Sequence, residues 1–242
     1  MPWFVDIHCH ALFGVDDGAE NEQEMQEMLR MAYEDGTRTL CLTPHYDPEF
    51  KEKKSITAEQ AFALAEAYCQ QHFPDLKLIL GNEMSYLVGC TESLLNGECR
   101  TVAGGRYVLV DFFMTPTLSE IRRGLSVILG CGYLPIVAHT ERYPCLHGKI
   151  REIAEFVENG ALIQLNAASL SEGLLSPVGR TARQLLSEGL VHVVASDGHN
   201  ALSRPPILSK AYGKVLKKYG QACADTLFFV NPSLILAGER IR

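Results

Sequence analysis

The stretch Phe4-Val5-Asp6-Ile7-His8-Cys9-His10 has the pattern of a short buried strand that ends in two histidines. Because residues two apart in a strand point to the same side, His8 and His10 are predicted to project together. Two imidazoles aimed at one point can bind one metal ion. A His-x-His pair alone is more often an ordinary polar strand end, but this pair runs into a loop that carries Asp16 and Asp17. The remaining ligands must come from the rest of the chain.

Composition limits the class of protein. The chain has 242 residues, 47% of them hydrophobic, which suits one α/β barrel or two small domains. No linker divides it, so we expect a single domain over residues 1–242. The net charge of -7 argues against a broad nucleic-acid interface. We find no room for a signal sequence, no apolar run of membrane-spanning length and no C-x-x-C pair among the eight cysteines. The sequence therefore predicts a soluble cytoplasmic protein with reduced thiols and no membrane insertion, and leaves the oligomeric state open.

Short apolar strands alternate with amphipathic helices along the chain. After the first strand, six more are predicted at 38–42, 77–80, 107–110, 134–138, 161–165 and 191–195. Asn21 can cap a helix that ends at Gly36, Thr57 can cap a second, and further helices are predicted at 119–129, 150–158 and 178–188. This alternation indicates an α/β fold with a parallel sheet buried on both faces. At this length, seven β/α units are more naturally closed into a TIM-like barrel than laid open.

Histidines and carboxylates stand at the carboxyl ends of the predicted strands. In chain order, the strand ends carry His8 with His10, His45, Glu83, Asp111, His139, Asn166, and Asp197 with His199. Because active sites of β/α barrels lie at these ends, we predict that these side chains meet at one rim. The three other histidines, His72, His147 and His192, are predicted to be structural or exposed.

Mixed imidazole and carboxylate ligands with no required thiolate favour Zn, Mn or Fe. The candidates exceed what one ion needs, so two or three ions are expected, with Glu83 as the bridging carboxylate. Ions about 4 Å apart can share a hydroxide and stabilise both the attacking and the leaving oxygens of a phosphoryl displacement. Arg142 and Arg204 stand at the same rim, where guanidinium groups can bind phosphate, although either could form a surface ion pair instead. The sequence therefore indicates an enzyme that acts on phosphate esters.

Six segments of the chain resemble the motifs of PHP-domain proteins, the polymerase and histidinol phosphatase superfamily. They are Asp6-Ile7-His8-Cys9-His10, Gly14-Val15-Asp16-Asp17-Gly18, Thr43-Pro44-His45, Gly81-Asn82-Glu83, Ala138-His139-Thr140-Glu141-Arg142-Tyr143 and Ala195-Ser196-Asp197-Gly198-His199-Asn200. Within this superfamily the chain is most similar to bacterial manganese-dependent protein-tyrosine phosphatases of capsule and exopolysaccharide operons. The resemblance extends over essentially the whole chain.

The resemblance implies a distorted seven-stranded (β/α)7 barrel with three metal ions, Mn²⁺ being the expected cofactor and Fe, Zn or Mg the alternatives. The implied ligands are His8, His10, Glu83 and Asp197 for one ion, Glu83, Asp111 and His139 for the second, and Asp17, His45 and His199 for the third. The alignment, not any local pattern, favours Asp17 over Asp16. Asp111 stands where such relatives more often have glutamate, so backbone position or a water must compensate for its shorter side chain.

The resemblance also implies the reaction. A metal-bridging hydroxide attacks phosphorus in line, Arg142 and Arg204 orient the phosphate, and His199 or a metal-bound water is the candidate general acid. A tyrosyl leaving group, with a free pKa of about 10, needs less protonation than a serine alkoxide, which favours aryl phosphates. The implied partner is the phosphotyrosine-bearing C-terminal tail of a bacterial tyrosine kinase that controls capsular or exopolysaccharide synthesis.

Other functions share parts of this pattern. Cys145 and Arg151 have the C-x5-R spacing of cysteine-dependent tyrosine phosphatases, but only Gly148 between them is small enough to help cradle a phosphate. Amidohydrolases and TatD-type deoxyribonucleases also begin with His-x-His. The former usually have a bridging lysine where this chain has Asp111, and the acidic charge disfavours the latter. Histidinol phosphatase, or another small phosphomonoesterase of the PHP group, is the nearest rival, and a barrel kept as a binding module is the non-catalytic one.

Overall fold

Strands and helices alternate along the chain, of which the computed structural model describes residues 3–47, 56–87, 90–113, 115–173 and 175–241. The strands are β1 (Phe4–Cys9), β2 (Thr37–Leu42), β3 (His45–Tyr46), β4 (Lys77–Leu80), β5 (Glu83–Ser85), β6 (Tyr107–Asp111), β7 (Leu134–Val137), β8 (Leu162–Asn166) and β9 (Val193–Ala195). The helices are α1 (Glu22–Asp35), α2 (Ala58–His72), α3 (Cys90–Leu95), α4 (Leu118–Gly130), α5 (Ile150–Glu158), α6 (Pro177–Ser187), α7 (Ser209–Tyr219), α8 (Gln221–Asp225) and α9 (Asn231–Leu236). None of the helices in these ranges combines the length and apolarity that crossing a membrane requires.

The caps predicted at Asn21 and Thr57 are confirmed, and a further cap is present at Thr117. The Asn21 side chain accepts a hydrogen bond from the backbone at the start of α1, which ends at Gly36 in the left-handed conformation (φ 107°). Thr57 and Thr117 each form a capping box, at the starts of α2 and α4. These local signals fix where the helices begin, and so fix the lengths of the loops that lead into and out of the strands.

All seven predicted strands are present, and every strand pair is parallel. They form a three-stranded sheet in the order β1-β2-β4 and a six-stranded sheet in the order β3-β5-β6-β7-β8-β9. The short strands β3 and β5 were not predicted. They lie just beyond β2 and β4, after the segments Thr43-Pro44 and Gly81-Asn82, and Pro44 has no N–H to donate to a ladder. The predicted α/β class is confirmed.

The curled sheet brings the end of β1 against the segment that follows β9. The backbone N–H of Asp197 donates to the His8 carbonyl (2.9 Å), and the His10 N–H donates to the Gly198 carbonyl (2.8 Å). Residues from the first and the last strand regions are therefore neighbours, although almost 190 positions separate them in the sequence.

Apolar side chains cover the strands on both faces. One cluster is formed largely by strand residues such as Val5, Ile7, Leu109, Ile136 and Val193, all of them buried. Two further clusters join the strands to the apolar faces of the helices. Because both faces of the sheet are covered, the ends of the strands are where polar side chains can gather at low desolvation cost.

Candidate metal centre

The predicted strand-end side chains come together at the carboxyl ends of the strands. Their nitrogen and oxygen atoms form three groups, within each of which the atoms lie no more than 4.8 Å apart: His8, His10 and Asp197; Glu83, Asp111 and His139; and His10, Asp17, His45 and His199. The division follows the sets implied by the resemblance, with two differences. His10 joins the third group, and Glu83 falls in the second group alone.

Glu83, the first residue of β5, lies fully buried at the centre of the cluster. Its Oε2 atom is 3.2 Å from the Nε2 atoms of both His8 and His10 and 3.1 Å from His45 Nδ1. Its Oε1 atom is 3.0 Å from His139 Nε2. Oε2 has no hydrogen bond of good geometry within the described part of the chain. A buried carboxylate oxygen that faces three imidazole nitrogens without a hydrogen bond is a position that a bound cation would satisfy.

Hydrogen bonds behind the two histidines of β1 orient their rings. The amide oxygen of Gln164 accepts from the His139 backbone N–H (3.0 Å), which identifies it as the oxygen, and it also lies 3.0 Å from His8 Nδ1. The carboxylate of Asp16 lies 2.7 Å from His10 Nδ1. Both acceptors place the imidazole proton on Nδ1, so each Nε2 lone pair points into the centre, as metal-binding histidines require.

Asp17 belongs to a more open part of the site. Its Oδ1 atom lies 3.3 Å from His45 Nε2 and 3.5 Å from His199 Nε2, and its side chain is 67% exposed. The Nδ1 atom of His199 is 3.0 Å from the Asp197 carbonyl oxygen, which leaves Nε2 free to face Asp17. The two adjacent aspartates therefore play different parts, because Asp16 supports a ring from behind and Asp17 faces the cluster.

Asp111 ends β6 and is held by two donors. Its Oδ1 atom accepts from the Tyr143 hydroxyl (2.8 Å) and from the Phe113 backbone N–H (3.1 Å), and lies 3.9 Å from His139 Nε2. The Tyr143 hydroxyl in turn accepts from the Phe112 N–H (3.0 Å). These bonds fix the Asp111 carboxylate with its Oδ1 atom at the edge of the cluster.

Two arginines meet one carboxylate at the edge of the cluster. Arg142 Nη1 and Arg204 Nη2 lie 3.3 and 2.6 Å from Asp197 Oδ2, to which Asn166 Nδ2 also donates (2.5 Å). Both arginine side chains are about one-third exposed, whereas the Asp197 carboxylate is buried. The guanidinium groups therefore border both the buried carboxylate and the open cleft.

The charges of the cluster are those of a cation site. Although burial opposes it, Glu83 and Asp197 raise the pKa of His8 to about 9, and in the same way Glu83 and Asp17 raise the pKa of His45 to about 10. Burial alone would raise the pKa of Glu83, but His8 and His45 hold it well below its usual value. Burial and neighbouring His10 lower the pKa of His199, which suits a neutral ligand better than an acid. The donors fit divalent metal ions, which would supply the positive charge that the carboxylates otherwise draw from imidazolium.

A cleft of about 210 Å³ opens onto the cluster. It is lined by Asp17, His45, Glu83, Asp111, Phe113, His139, Arg142, Tyr143, Asp197, His199 and Arg204. His139 and Asp197 adopt left-handed backbone conformations (φ 32° and 51°), which are uncommon for residues other than glycine. Such strain is characteristic of functional sites, where the surrounding structure holds it in place.

Several supporting residues were not assigned a role from the sequence. Gln164 and Asn166 lie two apart on β8 and are joined by a hydrogen bond of 2.9 Å. A buried glutamine in an otherwise apolar strand, two positions before the strand end, is a signal that could have identified this pair. Tyr143 follows Arg142 directly, but no pattern in the sequence shows that its hydroxyl reaches Asp111.

The competing motifs take no part in the cluster. Burial raises the pKa of the Cys145 thiol, the opposite of what a nucleophilic cysteine needs, and Cys145 lies in a short 3₁₀ turn. His192 accepts from the Ile163 backbone N–H, and His147 lies 3.0 Å from the Glu141 carbonyl oxygen. His72 packs against Tyr68 at the end of α2. The structural roles predicted for these three histidines agree with their surroundings.

Comparisons with known proteins show the family of this chain. The model of the family described as "Capsular polysaccharide synthesis, CpsB/CapC" matches residues 4–237. This chain belongs to the CpsB/CapC family. A relative named tyrosine-protein phosphatase CpsB, from Streptococcus pneumoniae, is 34% identical over 242 residues, covering 98% of this chain and all of the relative. Tyrosine-protein phosphatase YwqE from Bacillus subtilis is 27% identical, covering 98% and 93% of the two chains.

A solved CpsB/CapC-type structure supports the fold. It comes from crystallographic work on YwqE from Bacillus subtilis and CpsB from Streptococcus pneumoniae, described as unique metal-dependent tyrosine phosphatases. It superimposes on this chain with a TM-score of 0.88 at 25% identity and covers 98% of this chain and 96% of the solved one. The family-level resemblance drawn from the sequence is confirmed.

Proposed function

We propose that the chain removes phosphate from tyrosines in the C-terminal tail of a bacterial tyrosine kinase that controls capsular or exopolysaccharide synthesis. By its family, the chain is a metal-dependent protein-tyrosine phosphatase. The observation that supports the proposal most strongly is a cluster of five imidazoles and four carboxylates at the base of a cleft that two guanidinium groups also line. That combination suits both metal ions and a phosphate ester.

The proposed cofactor is Mn²⁺, in two or three ions, with Fe, Zn or Mg as alternatives. The nine proposed ligands are His8, His10, Asp17, His45, Glu83, Asp111, His139, Asp197 and His199. The support is chemical, since a set of carboxylates and imidazoles without a thiolate suits these ions. When bound, such ions polarise the phosphate and lower the pKa of a water nucleophile. Asp16 and Gln164 would keep the Nε2 atoms of His10 and His8 directed at them.

Arg142 and Arg204 are proposed to bind the phosphate group. Each has N–H donors directed at Asp197 and a side chain that borders the cleft. A guanidinium group presents its donors in a rigid fork, so it can keep one bond to the carboxylate and offer others to phosphate oxygens. The two arginines thereby orient the ester and stabilise charge that develops on its equatorial oxygens.

His199 is proposed to act as a ligand, with a role as general acid as the alternative. Its lowered pKa and its position opposite Asp17 favour the neutral, coordinating form. A tyrosyl group with a free pKa of about 10 can leave with little protonation, so the reaction does not demand a strong acid from the protein.

Three broader proposals complete this description. The two sheets together form a distorted seven-stranded (β/α)7 barrel, supported by the hydrogen bonds between the ends of β1 and β9. Residues 1–242 form one domain, supported by a family match that covers 4–237. The protein works in the cytoplasm, supported by eight cysteines that are all free thiols.

The test is a substrate comparison with metal removal. The chain, stripped with a chelator and reloaded with Mn²⁺, is assayed on a phosphotyrosine peptide, on histidinol phosphate and on supercoiled plasmid. We expect turnover of the peptide only after reloading, and a loss of at least about 10²-fold in His139→Ala. Full activity in the chelated protein or in His139→Ala would contradict the metal assignment. A preference for histidinol phosphate would contradict the proposal that the substrate is a phosphotyrosine peptide.

A further inference from the structure

A second cleft lies next to the catalytic one, and the two share a residue. The second cleft has a volume of about 340 Å³ and is lined by Tyr86, Leu87, Phe112, Phe113, Thr115, Pro116, Glu120 and Arg123. Phe113 also lines the cleft over the metal cluster. A molecule that extends out of the catalytic cleft past Phe113 therefore enters a second concave surface.

Phe113 is held in place rather than merely exposed. Its backbone has a φ of 64°, which is costly for a bulky residue, and its N–H donates to Asp111 Oδ1 (3.1 Å). That bond ties the position of Phe113 to a carboxylate of the metal cluster. The side chain is 41% exposed, although burying a phenylalanine is favourable. A strained backbone that presents an apolar ring at the mouth of a charged cleft indicates a binding role.

The lining of the catalytic cleft shows what such a ring could bind. Nine of its eleven lining residues are ionisable side chains of the cation and phosphate site, and the other two are Phe113 and Tyr143. Tyr143 is 2% exposed, and its hydroxyl is engaged with Asp111. The ring of Phe113 is therefore the accessible aromatic surface of this cleft, and aromatic rings pack favourably on one another in stacked or edge-on geometries.

The second cleft holds one acidic and one basic side chain, Glu120 and Arg123, and they differ in their partners. The Glu120 carboxylate is engaged in the cap of α4, where it accepts from the Thr117 N–H (2.6 Å) and from the Thr117 hydroxyl (2.7 Å). Within the described ranges, Arg123 forms no ion pair, whereas its neighbour Arg122 is paired with Glu155 (2.7 Å). Acidic groups are the partners that an unpaired guanidinium beside an apolar wall would select.

We propose that Phe113 stacks on the tyrosyl ring of the substrate and that the cleft beyond it binds an acidic residue next to the phosphotyrosine, with Arg123 as the ion-pair partner. This inference rests on the proposed function and adds to it the sequence around the tyrosine. Phe113 then selects the aryl ester, and Arg123 selects the peptide that carries it.

The first test concerns the ring. Phe113→Ala and Phe113→Leu are compared with Phe229→Ala, which removes a phenylalanine of similar exposure (40%) from the π-helical turn Thr226–Val230. The substrates are a phosphotyrosine peptide and the same peptide with phosphoserine. We expect the ratio of kcat/KM between the two peptides to fall about tenfold in both Phe113 variants, mainly through KM for the phosphotyrosine peptide, and to recover in Phe113→Tyr. Phe229→Ala should retain the wild-type ratio.

The second test concerns the charge. Wild type, Arg123→Ala and Arg122→Ala are assayed on two phosphotyrosine peptides whose flanking residues are glutamate or glutamine. We expect wild type and Arg122→Ala to prefer the glutamate peptide several-fold, and Arg123→Ala to lose that preference. Thermal melting and metal content establish that each variant is folded and loaded.

The results of these tests distinguish a failure of the roles proposed for Phe113 and Arg123 from a failure of the proposed function. An unchanged selectivity ratio in both Phe113 variants, or an unchanged glutamate preference in Arg123→Ala, would overturn this inference while wild-type hydrolysis of the phosphotyrosine peptide upholds the proposed function. Failure of the wild type to hydrolyse either phosphotyrosine peptide would overturn the proposed function, and the inference with it.

Discussion

The metal cluster has an inner half and an outer half that the protein holds in different ways. His8, His10 and Asp197 of the inner half are at most 2% exposed. Each has a second partner behind it, respectively Gln164, Asp16 and Asn166. In the outer half, the side chains of Asp17 and His45 are 67% and 30% exposed, and Asp17 lies in a loop.

This difference indicates how the site is built. The inner ligands are held by hydrogen bonds to the residues behind them, whereas Asp17 and His45 face solvent and depend more on a bound ion for their arrangement. Metal affinity should therefore be higher on the inner side, and substitutions there should cost more.

The largest effect is expected from an inner ligand. His8→Asn removes a buried imidazole whose Nε2 atom lies 3.2 Å from the central carboxylate of Glu83. We expect kcat/KM for a phosphotyrosine peptide to fall at least about 10³-fold, with loss of bound metal measured by elemental analysis. Activity within tenfold of wild type would show that the inner half is not the essential one.

A large effect is also expected from a residue that binds no metal. Gln164→Leu keeps the size of the side chain but removes the acceptor that orients His8 and the donor that reaches Asn166. We expect metal affinity to fall about 10- to 100-fold, because removing the hydrogen-bond partner of a ligating histidine typically lowers metal affinity by that factor. Titration with Mn²⁺ measures the affinity, and Gln184→Leu, which changes an exposed glutamine of α6, is the control. Equal affinities in the two variants would rule out orientation of His8 by β8.

The outer half should tolerate the matching change better. His45→Asn removes an imidazole that faces Asp17 and Glu83. We expect a loss of about tenfold in kcat/KM, largely restored by excess Mn²⁺, because the inner ligands still hold their share of the ions. A loss as large as that in His8→Asn would remove the distinction between the two halves.

The smallest effect is expected from a histidine outside the cluster. Burial lowers the pKa of His192 from 6.5 to about 4, and its Nδ1 atom accepts from the Ile163 N–H. The folded state therefore keeps His192 neutral while the unfolded chain takes up a proton, so His192 costs stability as the pH falls from 6.5 towards 4, by no more than about 1.4 kcal/mol per pH unit. His192→Asn keeps an acceptor without a titrating group.

We expect His192→Asn to lose less stability than wild type over this pH range, with unchanged metal content at pH 7. Urea unfolding of the metal-free proteins at several pH values measures the difference. Parallel pH profiles for the two proteins would contradict the assignment.

The sequence predicted the metal-binding side chains of the inner half better than the residues that hold them in place. Because the carboxyl ends of parallel strands meet at one edge, strand-end residues such as His8, His10 and Asp197 could be placed at one rim from the sequence. A polar residue in the apolar run of β8 marks Gln164 as unusual, but its contact with His8 could not be predicted, because that contact joins strands far apart in the sequence and depends on their register. Asp16 and Asp17 are adjacent in a loop without periodicity, so only their final positions separate their roles.

The strands, too, could be predicted only in part from the sequence. The seven predicted strands follow from apolar runs, but β3 and β5 contain two and three residues and have no apolar run of their own. Phe113 is a further case, since neither its positive φ nor its exposure can be inferred from its neighbours in the chain. Residues that face a substrate and do not pack in the core leave little trace in hydrophobic periodicity.

The most direct test of the central claim is anomalous diffraction at the manganese edge from crystals of the Mn²⁺-loaded protein. We predict at least two peaks in the cleft, one bordered by Glu83 together with inner ligands and one bordered by Asp17, His45 and His199. Crystals of fully loaded protein with no anomalous peak within coordination distance of these side chains would contradict the account.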